Sequence, residues 1–464
     1  MNDSAPTQRA LTPFTLLSPE DREWWIEQCY VLPDANSALY DPERSLLLIG
    51  ERGSGLSTLF EVFQHVYPLV DDHPMPLTTP QPFCFAYPIY CWPGQPQALF
   101  SHDDTSHFKQ WMALIAHHLI HVFKRDPALL QRPSVASFEF LVWLMRHYLG
   151  SRRADGWCQF VEQQHPAAEI KTIVAEARRG KYDNVYTDDH ANDTAGQIEE
   201  CVELLAQLGW NGVYAVAELS FEQWSAFSAD HQATLQASIE RLLSHLTPIQ
   251  HQRFGFKIGV VADVMISETI KKLPRGRASV MQHTWTADAL SDMSTRLLSA
   301  LADKPLRIEE LIAPALWHDL HNDMLHIWGK PSPLALVAII HSCYEHAPTF
   351  TPLQPDQISA IRTKLYQQYA PLRYDPASNA ALVWRGATKI TLDEAQFHVF
   401  QALWRHGRTK THAQKPELQN LAGSSANLDK IISRIREKIE PFPNARIYLQ
   451  RNQSQGIWLE CCQF

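Results

Sequence analysis

The sequence predicts an α/β fold: a parallel sheet, followed by a helical subdomain and a smaller C-terminal domain. Three observations carry this. Short apolar runs at 45–49, 83–87, 213–218 and 256–261 alternate with helically spaced segments, the order expected of parallel strands joined by crossover helices. Residues 285–370 keep helical spacing throughout. Residues 382–460 change to a hairpin, three helices and a second hairpin. The domain limits that follow are 1–284, 285–372 and 373–464.

Each element has a local reason. Ser18-Pro19-Glu20-Asp21 reads as an N-cap with proline at the first helical position, opening a helix that carries Trp24, Trp25 and Ile26. Ser45-Leu46-Leu47-Leu48-Ile49 is a continuous apolar run ending at glycine, which fits a strand buried on both faces. Leu59, Phe60, Val62, Phe63 and Val66 keep helical spacing until Pro68 closes the helix. Phe83-Cys84-Phe85-Ala86-Tyr87 predicts a second strand, and helices are expected around 111–123 and 138–148. Residues 151–195 read as polar and partly irregular, with an acidic loop at 183–189. An amphipathic helix over 198–208 leads into the strand Val213-Tyr214-Ala215-Val216-Ala217-Glu218. A helix near 231–246 precedes the strand Phe256-Lys257-Ile258-Gly259-Val260-Val261.

Composition bounds the function. At ~100–200 residues per domain, 464 residues make two to four domains. With 45% hydrophobic residues, 14 Trp, 14 Tyr and 20 Phe, the chain has material for real cores and is not disordered throughout. No apolar run approaches the ~20 residues a bilayer requires, and the N-terminus lacks a basic-then-apolar layout. The expectation is a cytoplasmic protein with no membrane partner. The eight cysteines include no CxxC pair and are expected to be reduced and mostly buried. Net charge is −9, yet residues 385–464 hold 12 Lys/Arg against 7 Asp/Glu, a net of +5, so the remainder carries −14. An acidic body with a basic terminal domain fits a nucleic-acid-binding appendage.

The first motif follows the strand at 45–49. Gly50-Glu51-Arg52-Gly53-Ser54-Gly55-Leu56-Ser57-Thr58 places Gly50, Gly55 and Ser57 on the template G-x-x-x-x-G-K-[ST], with Gly53 adding flexibility. Backbone N–H groups of such a turn, at the start of a helix, cradle an anion, and Ser57 would ligate magnesium. Leu56 stands where the phosphate-neutralising lysine belongs. Arg52 could substitute only from another direction. A second strand-end acid should hold the metal; there Ala217 occupies the expected aspartate position and Glu218 follows it. These losses point to weak or absent hydrolysis, so no efficient ATPase is expected. The same residues also satisfy a plain strand-to-helix turn.

Phe14-Thr15, the aromatic N-terminal helix and the phosphate loop resemble STAND-type P-loop ATPases, relatives of the AAA+ group. Leu273-Pro274-Arg275-Gly276-Arg277 is similar to their arginine-bearing segment, and Trp285-Thr286-Ala287-Asp288-Ala289-Leu290 to the opening of their helical subdomain. Gly329-Lys330-Pro331 matches their GxP element. The resemblance spans roughly residues 10–350 and implies a P-loop NTPase-like sheet. It further implies ATP or ADP with Mg as cofactor, held by Gly50, Gly53, Gly55, Ser57, Thr58 and Pro331, with Ser57 and Glu218 on the metal. Nucleotide-controlled switching and homo-oligomerisation are also implied. The departures at Leu56 and Ala217 put hydrolysis in doubt and leave open a fold that holds no nucleotide.

Residues 382–460 carry the second motif. Leu382 to Leu392 alternates as a hairpin, and Asp393-Glu394-Ala395-Gln396-Phe397 opens a helix with Phe397, Phe400, Leu403 and Trp404 on one face. A second helix is expected over 415–422, and a third, capped by Ser425 or Asn427, over 428–439. A terminal hairpin is expected from 446–449 and 456–459. Ile390-Thr391-Leu392, the helix Ile432-Ser433-Arg434-Ile435-Arg436-Glu437-Lys438-Ile439 and Gly456-Ile457-Trp458-Leu459 resemble the winged-helix DNA-binding domain of OmpR/PhoB-type response regulators. Lys430, Arg434 and Lys438 recur every four residues opposite the apolar Leu428, Ile431, Ile432, Ile435 and Ile439. Such a stripe can lie in a major groove, with Arg446 and Arg451 serving the hairpin and the phosphate backbone.

The histidine groups His117, His118, His121 and His318, His321, His326 lack a metal-binding spacing such as HExxH. The leading expectation is a DNA-binding regulator or adaptor on a degenerate P-loop fold. The alternatives are a nucleotide-dependent oligomeric switch in defence or signalling, and a protein–protein assembly component that never touches DNA.

Overall fold

A computed structural model of the chain describes residues 19–32, 38–41, 44–51, 53–71, 81–93, 107–180, 193–244, 253–264, 278–374, 381–409, 411–452 and 456–463. Phe14-Thr15, Arg52, the acidic loop at 183–189 and Leu273-Pro274-Arg275-Gly276-Arg277 lie outside the described residues. The chain divides into two compact units, Leu32–Thr284 and Met1–Val31 with Trp285–Phe464. Helix α1 (Pro19–Cys29) belongs to the latter.

The first unit is built in the order β1 (Ser45–Gly50), α2 (Leu56–Val66), β2 (Gln81–Ala86), α3 (His107–Arg125), α4 (Val135–Leu149), α5 (Ser151–Gln164), α6 (Ala168–Arg178) and α7 (Thr194–Leu208). It continues with β3 (Trp210–Leu219), α8 (Phe221–Ala226), α9 (Ala229–Ser244), β4 (Phe254–Val261) and β5 (Ala278–His283). The five strands pair in parallel in the order β2-β3-β4-β1-β5. Every residue of β1 and β4 is buried, as a sheet covered on both faces requires.

Period two decides what each face meets. Leu47, Ile49, Phe83, Phe85, Ala215, Phe256 and Ile258 share one core with the inward sides of α3, α4 and α7. The opposite face packs on α2. A Cβ on Gly259 would come within 2.6 Å of the Phe60 ring, so the helix sits this close only over glycine. Lys257 shares that face, and so does Glu218, whose register partner is Gly259.

Two segments differ from the sequence reading. Residues 151–178 form α5 and α6, helices whose buried sides are Ala154, Trp157, Cys158 and Val161, and Ile170, Ile173, Val174 and Ala177. Each stripe is narrow and diluted by charges, so only packing against α4 makes it decisive. β5 has no apolar run at all; it is an edge strand held by its parallel ladder to β1.

The second unit adds α10 (Ala287–Ala302), α11 (Ile308–Leu311), α12 (Pro314–Trp328), α13 (Pro333–His346) and α14 (Pro355–Tyr369). Thr286 caps α10 and Ser332 caps α13, and α12, α13 and α14 each start with proline in the first turn. Helix α1 packs on α10, where Arg296 Nη1 donates to Tyr30 O at 2.9 Å. Then follow β6 (Leu372–Arg373), β7 (Leu382–Arg385), β8 (Thr388–Thr391), α15 (Glu394–Arg408), α16 (Lys415–Ala422), α17 (Ser425–Ile439), β9 (Leu449–Asn452), β10 (Gly456–Leu459) and β11 (Cys462–Gln463). One sheet runs β11-β6-β7-β8 and β9 pairs with β10; Ala413 adds a bridge to Ile457 of that hairpin.

Within this unit the β7–β8 turn closes a helix end. Ala387 N donates to the carbonyls of His326 and Ile327, both at 3.1 Å, and Thr388 Oγ1 donates to His326 O at 3.1 Å. These are carbonyls that the last turn of α12 leaves unmet. Gly386 (φ 56°) permits the approach, because a Cβ there would stand 2.7 Å from Ile327 O.

Two local expectations are corrected. Ser424, not Ser425 or Asn427, caps α17: its Oγ accepts from Asn427 N at 3.1 Å. The last hairpin begins at Leu449 rather than Arg446, because the buried Glu440 carboxylate accepts from Ile447 N (2.9 Å), Tyr448 N (3.0 Å) and Leu449 N (2.9 Å). Amides held this way cannot all join a ladder. Glu440→Ala is expected to lower the stability of this unit by about 3 kcal/mol, since three buried donors lose a charged acceptor. Urea unfolding checks this; a loss below about 1 kcal/mol would mean that water replaces the carboxylate. No described helix is long and apolar enough to cross a membrane.

Candidate functional site

The loop after β1 is shaped by its glycines. Gly53 (φ 75°) and Gly55 (φ 79°) take left-handed conformations, and a Cβ on Gly50 would stand 2.9 Å from Ser54 Oγ. Ser54 is buried, and its carbonyl accepts from the buried His283 Nε2 at 2.8 Å, which ties the loop to the end of β5. Thr58 follows in the first turn of α2 and is half-buried.

Ser57 and Glu218, 161 residues apart, meet: Ser57 Oγ donates to Glu218 Oε1. The half-buried Glu218 carboxyl is pushed above the usual range by burial; the Ser57 bond opposes this, and Glu222 and Glu61 add to it. Ala217 is turned to the other face of β3, into the core shared with the helices. The acid opposite the loop hydroxyl is therefore Glu218 itself, and the residue before it has no access to the loop.

Ser57 and Glu218 have the chemistry of divalent-cation ligands. The other described residues of the loop bring no positive charge to a triphosphate. Leu56 is buried and folded over the strand end, with Cβ and Cδ2 each 3.0 Å from where a Gly50 Cβ would be. It brings no charge, and Glu61, Glu218 and Glu222 make the neighbourhood negative. Pro331 belongs to the other unit, two residues past Gly329, the left-handed C-cap of α12.

The C-terminal helices carry the basic residues. Leu428, Ile431, Ile432, Ile435 and Ile439 of α17 are buried, while Lys430, Arg434 and Lys438 are exposed on the far side. Lys430 and Arg434 form no ion pair or side-chain hydrogen bond among the described residues. Lys438 Nζ donates to Thr391 O at 3.0 Å, so it is tethered to β8. Arg451 pairs with Asp429 at 3.0 Å. Arg446 is exposed, and its Nη1 donates to Ala445 O at 3.2 Å.

Sequence reasoning passed over Arg436, half-buried between α17 and the hairpin, with Nη2 donating to Leu449 O at 3.3 Å. Burial holds its guanidinium below the usual value, Arg446 and Arg451 repel it, and Glu440 opposes the shift. Arg436, Arg446 and Arg451 thus lie close enough to act on one another, with Asp429 and Glu440 offsetting part of their charge.

His118 Nδ1 lies 2.9 Å from Asp71 Oδ1, the rings of His117 and His121 are 4.9 Å apart, and burial lowers the pKa of both His117 and His118. Among the described residues, no group of three or more His, Cys, Asp or Glu could hold a metal ion. The chain matches no known family model and no curated protein.

Proposed function

We propose that the chain is a DNA-binding regulator or adaptor. Its C-terminal helices form a winged-helix module, and its α/β unit is a degenerate P-loop-like scaffold. The observation that carries this is the pair Lys430 and Arg434 on the exposed side of α17, which has no ion-pair or side-chain hydrogen-bond partner among the described residues, together with Arg436, Arg446 and Arg451 of the same module. A helix of this kind lies in the major groove, where phosphate contacts give affinity and base edges give specificity. The β9–β10 hairpin serves as the wing.

Lys430→Ala with Arg434→Ala is the informative double variant, because both side chains are exposed and neither has a partner among the described residues. Duplex affinity is expected to fall about 100-fold near 0.1 M salt, and the slope of log K against log salt to shrink by about two. Unchanged affinity, read by fluorescence anisotropy, would favour a protein–protein assembly role. Lys438→Ala is expected to weaken binding less, because its ammonium is already engaged by Thr391 O.

A further inference from the structure

Beside Glu218, at the ends of β2 and β3, lies an open cleft of about 740 Å³. Its walls come from the turn after β2, the end of β3, and the segment joining α8 to α9. Tyr87 forms part of the floor and is held rigidly. Its hydroxyl lies 2.8 Å from His107 Nδ1, His107 Nε2 lies 2.8 Å from Ser238 O, and Trp92 stacks on its ring at 5.8 Å. Such support makes the floor preorganised. Tyr90, 48% exposed, stands at the rim, and Phe227 faces it in the lining with His231 packed on its ring at 4.3 Å between centroids.

The charge in this cleft is one-sided. Among the described residues, Glu218 is the only carboxylate of the lining, and no lysine or arginine lines it. A phosphate or carboxylate would meet repulsion there. A cation would meet a part-buried carboxylate and aromatic faces, the two groups that together bind organic cations most strongly. We infer that the cleft of Tyr90, Phe227 and Glu218, floored by the buried Tyr87, binds an organic cation, an ammonium or guanidinium group carried on an apolar body. The aromatic walls take the body, and Glu218 takes the charge while keeping its bond from Ser57. This stands on the α/β unit alone and goes beyond DNA binding.

The test is calorimetric titration of the full chain with phenethylammonium, with the neutral isostere 2-phenylethanol, and with an N-acetylated tripeptide amide carrying one arginine. Saturable binding of either cation, at least about tenfold tighter than the alcohol, supports the site. Tighter binding of the small amine identifies a free metabolite as the source, and tighter binding of the peptide identifies a partner's side chain. Glu218→Gln, which keeps an acceptor for Ser57, and Tyr90→Ala, at an exposed position, should each weaken the cation about tenfold and leave the alcohol unchanged. Equal binding of the alcohol, indifference to Glu218→Gln, or no saturation with either cation would overturn the inference. A DNA titration of the same preparation reads the proposed function separately.

Discussion

Replacing Asp323 with alanine is expected to lower the stability of the unit containing Trp285–Phe464 by about 3–5 kcal/mol. Asp323, on α12, is 1% exposed and accepts from Arg362 Nε (2.6 Å), Arg362 Nη2 (3.2 Å) and Tyr366 OH (2.9 Å), both of α14. The Arg362 guanidinium also lies 4.3 Å over the Phe442 ring. Tyr366 in turn has Arg385 above its ring, and Arg385 Nη1 donates to Ile439 O at 2.8 Å. One buried carboxylate thus satisfies a chain of groups that runs from the helical part to the last turn of α17. Removing it strands a partly buried cation and a buried phenol. Asp319 provides the internal control: it meets the same arginine at 3.3 Å but is half exposed, so Asp319→Ala should cost under about 1 kcal/mol. Denaturant unfolding of the two variants measures the difference, and equal losses would contradict this account of the junction.

Lys257 should make stability depend on alkaline pH. It is 1% exposed in β4, donates to Asp41 O at 2.8 Å and Ala38 O at 3.4 Å, and lies 5.2 Å from the centre of the Tyr214 ring. Burial pushes its ammonium down to about 7; Asp41 and Cys84 oppose the shift and Arg44 adds to it. In the unfolded chain a lysine titrates near 10.4. Between those values the unfolded state binds a proton that the folded state lacks, so stability rises with pH. Below the folded value the cost of the buried charge is complete, roughly 5 kcal/mol. Lys257→Met should therefore stabilise the first unit most at pH 7 and below, with the advantage shrinking towards pH 10. Comparing the two proteins at each pH cancels the other titrating groups. A difference that stays flat from pH 7 to 10 would contradict the buried-charge reading.

Much of this architecture is legible locally. Continuous apolar runs mark β1, β3 and β4 because strands covered on both faces need them, and helical spacing marks α2, α7 and α17. The glycines at 50, 53 and 55 announce the tight loop. What periodicity omits is where a long side chain ends. It places Lys438 and Arg451 on the outside, but it does not show that one reaches Thr391 O and the other Asp429. Nor does it reveal that Glu440, just past a helix, turns inward to hold three amides. The Ser57–Glu218 contact joins positions 161 residues apart, and β5 becomes a strand only beside β1. Such features depend on strand order, and no local window contains it. The same holds for the cleft, whose walls come from 86–90 and 216–231.

The most direct test of DNA binding through α17 is a duplex titration of the full chain at two salt concentrations, with and without Mg-ATP. The account predicts affinity that falls steeply with salt, with a log–log slope of about −3 to −4, and no change on adding Mg-ATP. Absence of binding, or binding indifferent to salt, would contradict the DNA-binding role. An affinity shifted by Mg-ATP would contradict the scaffold role of the α/β unit.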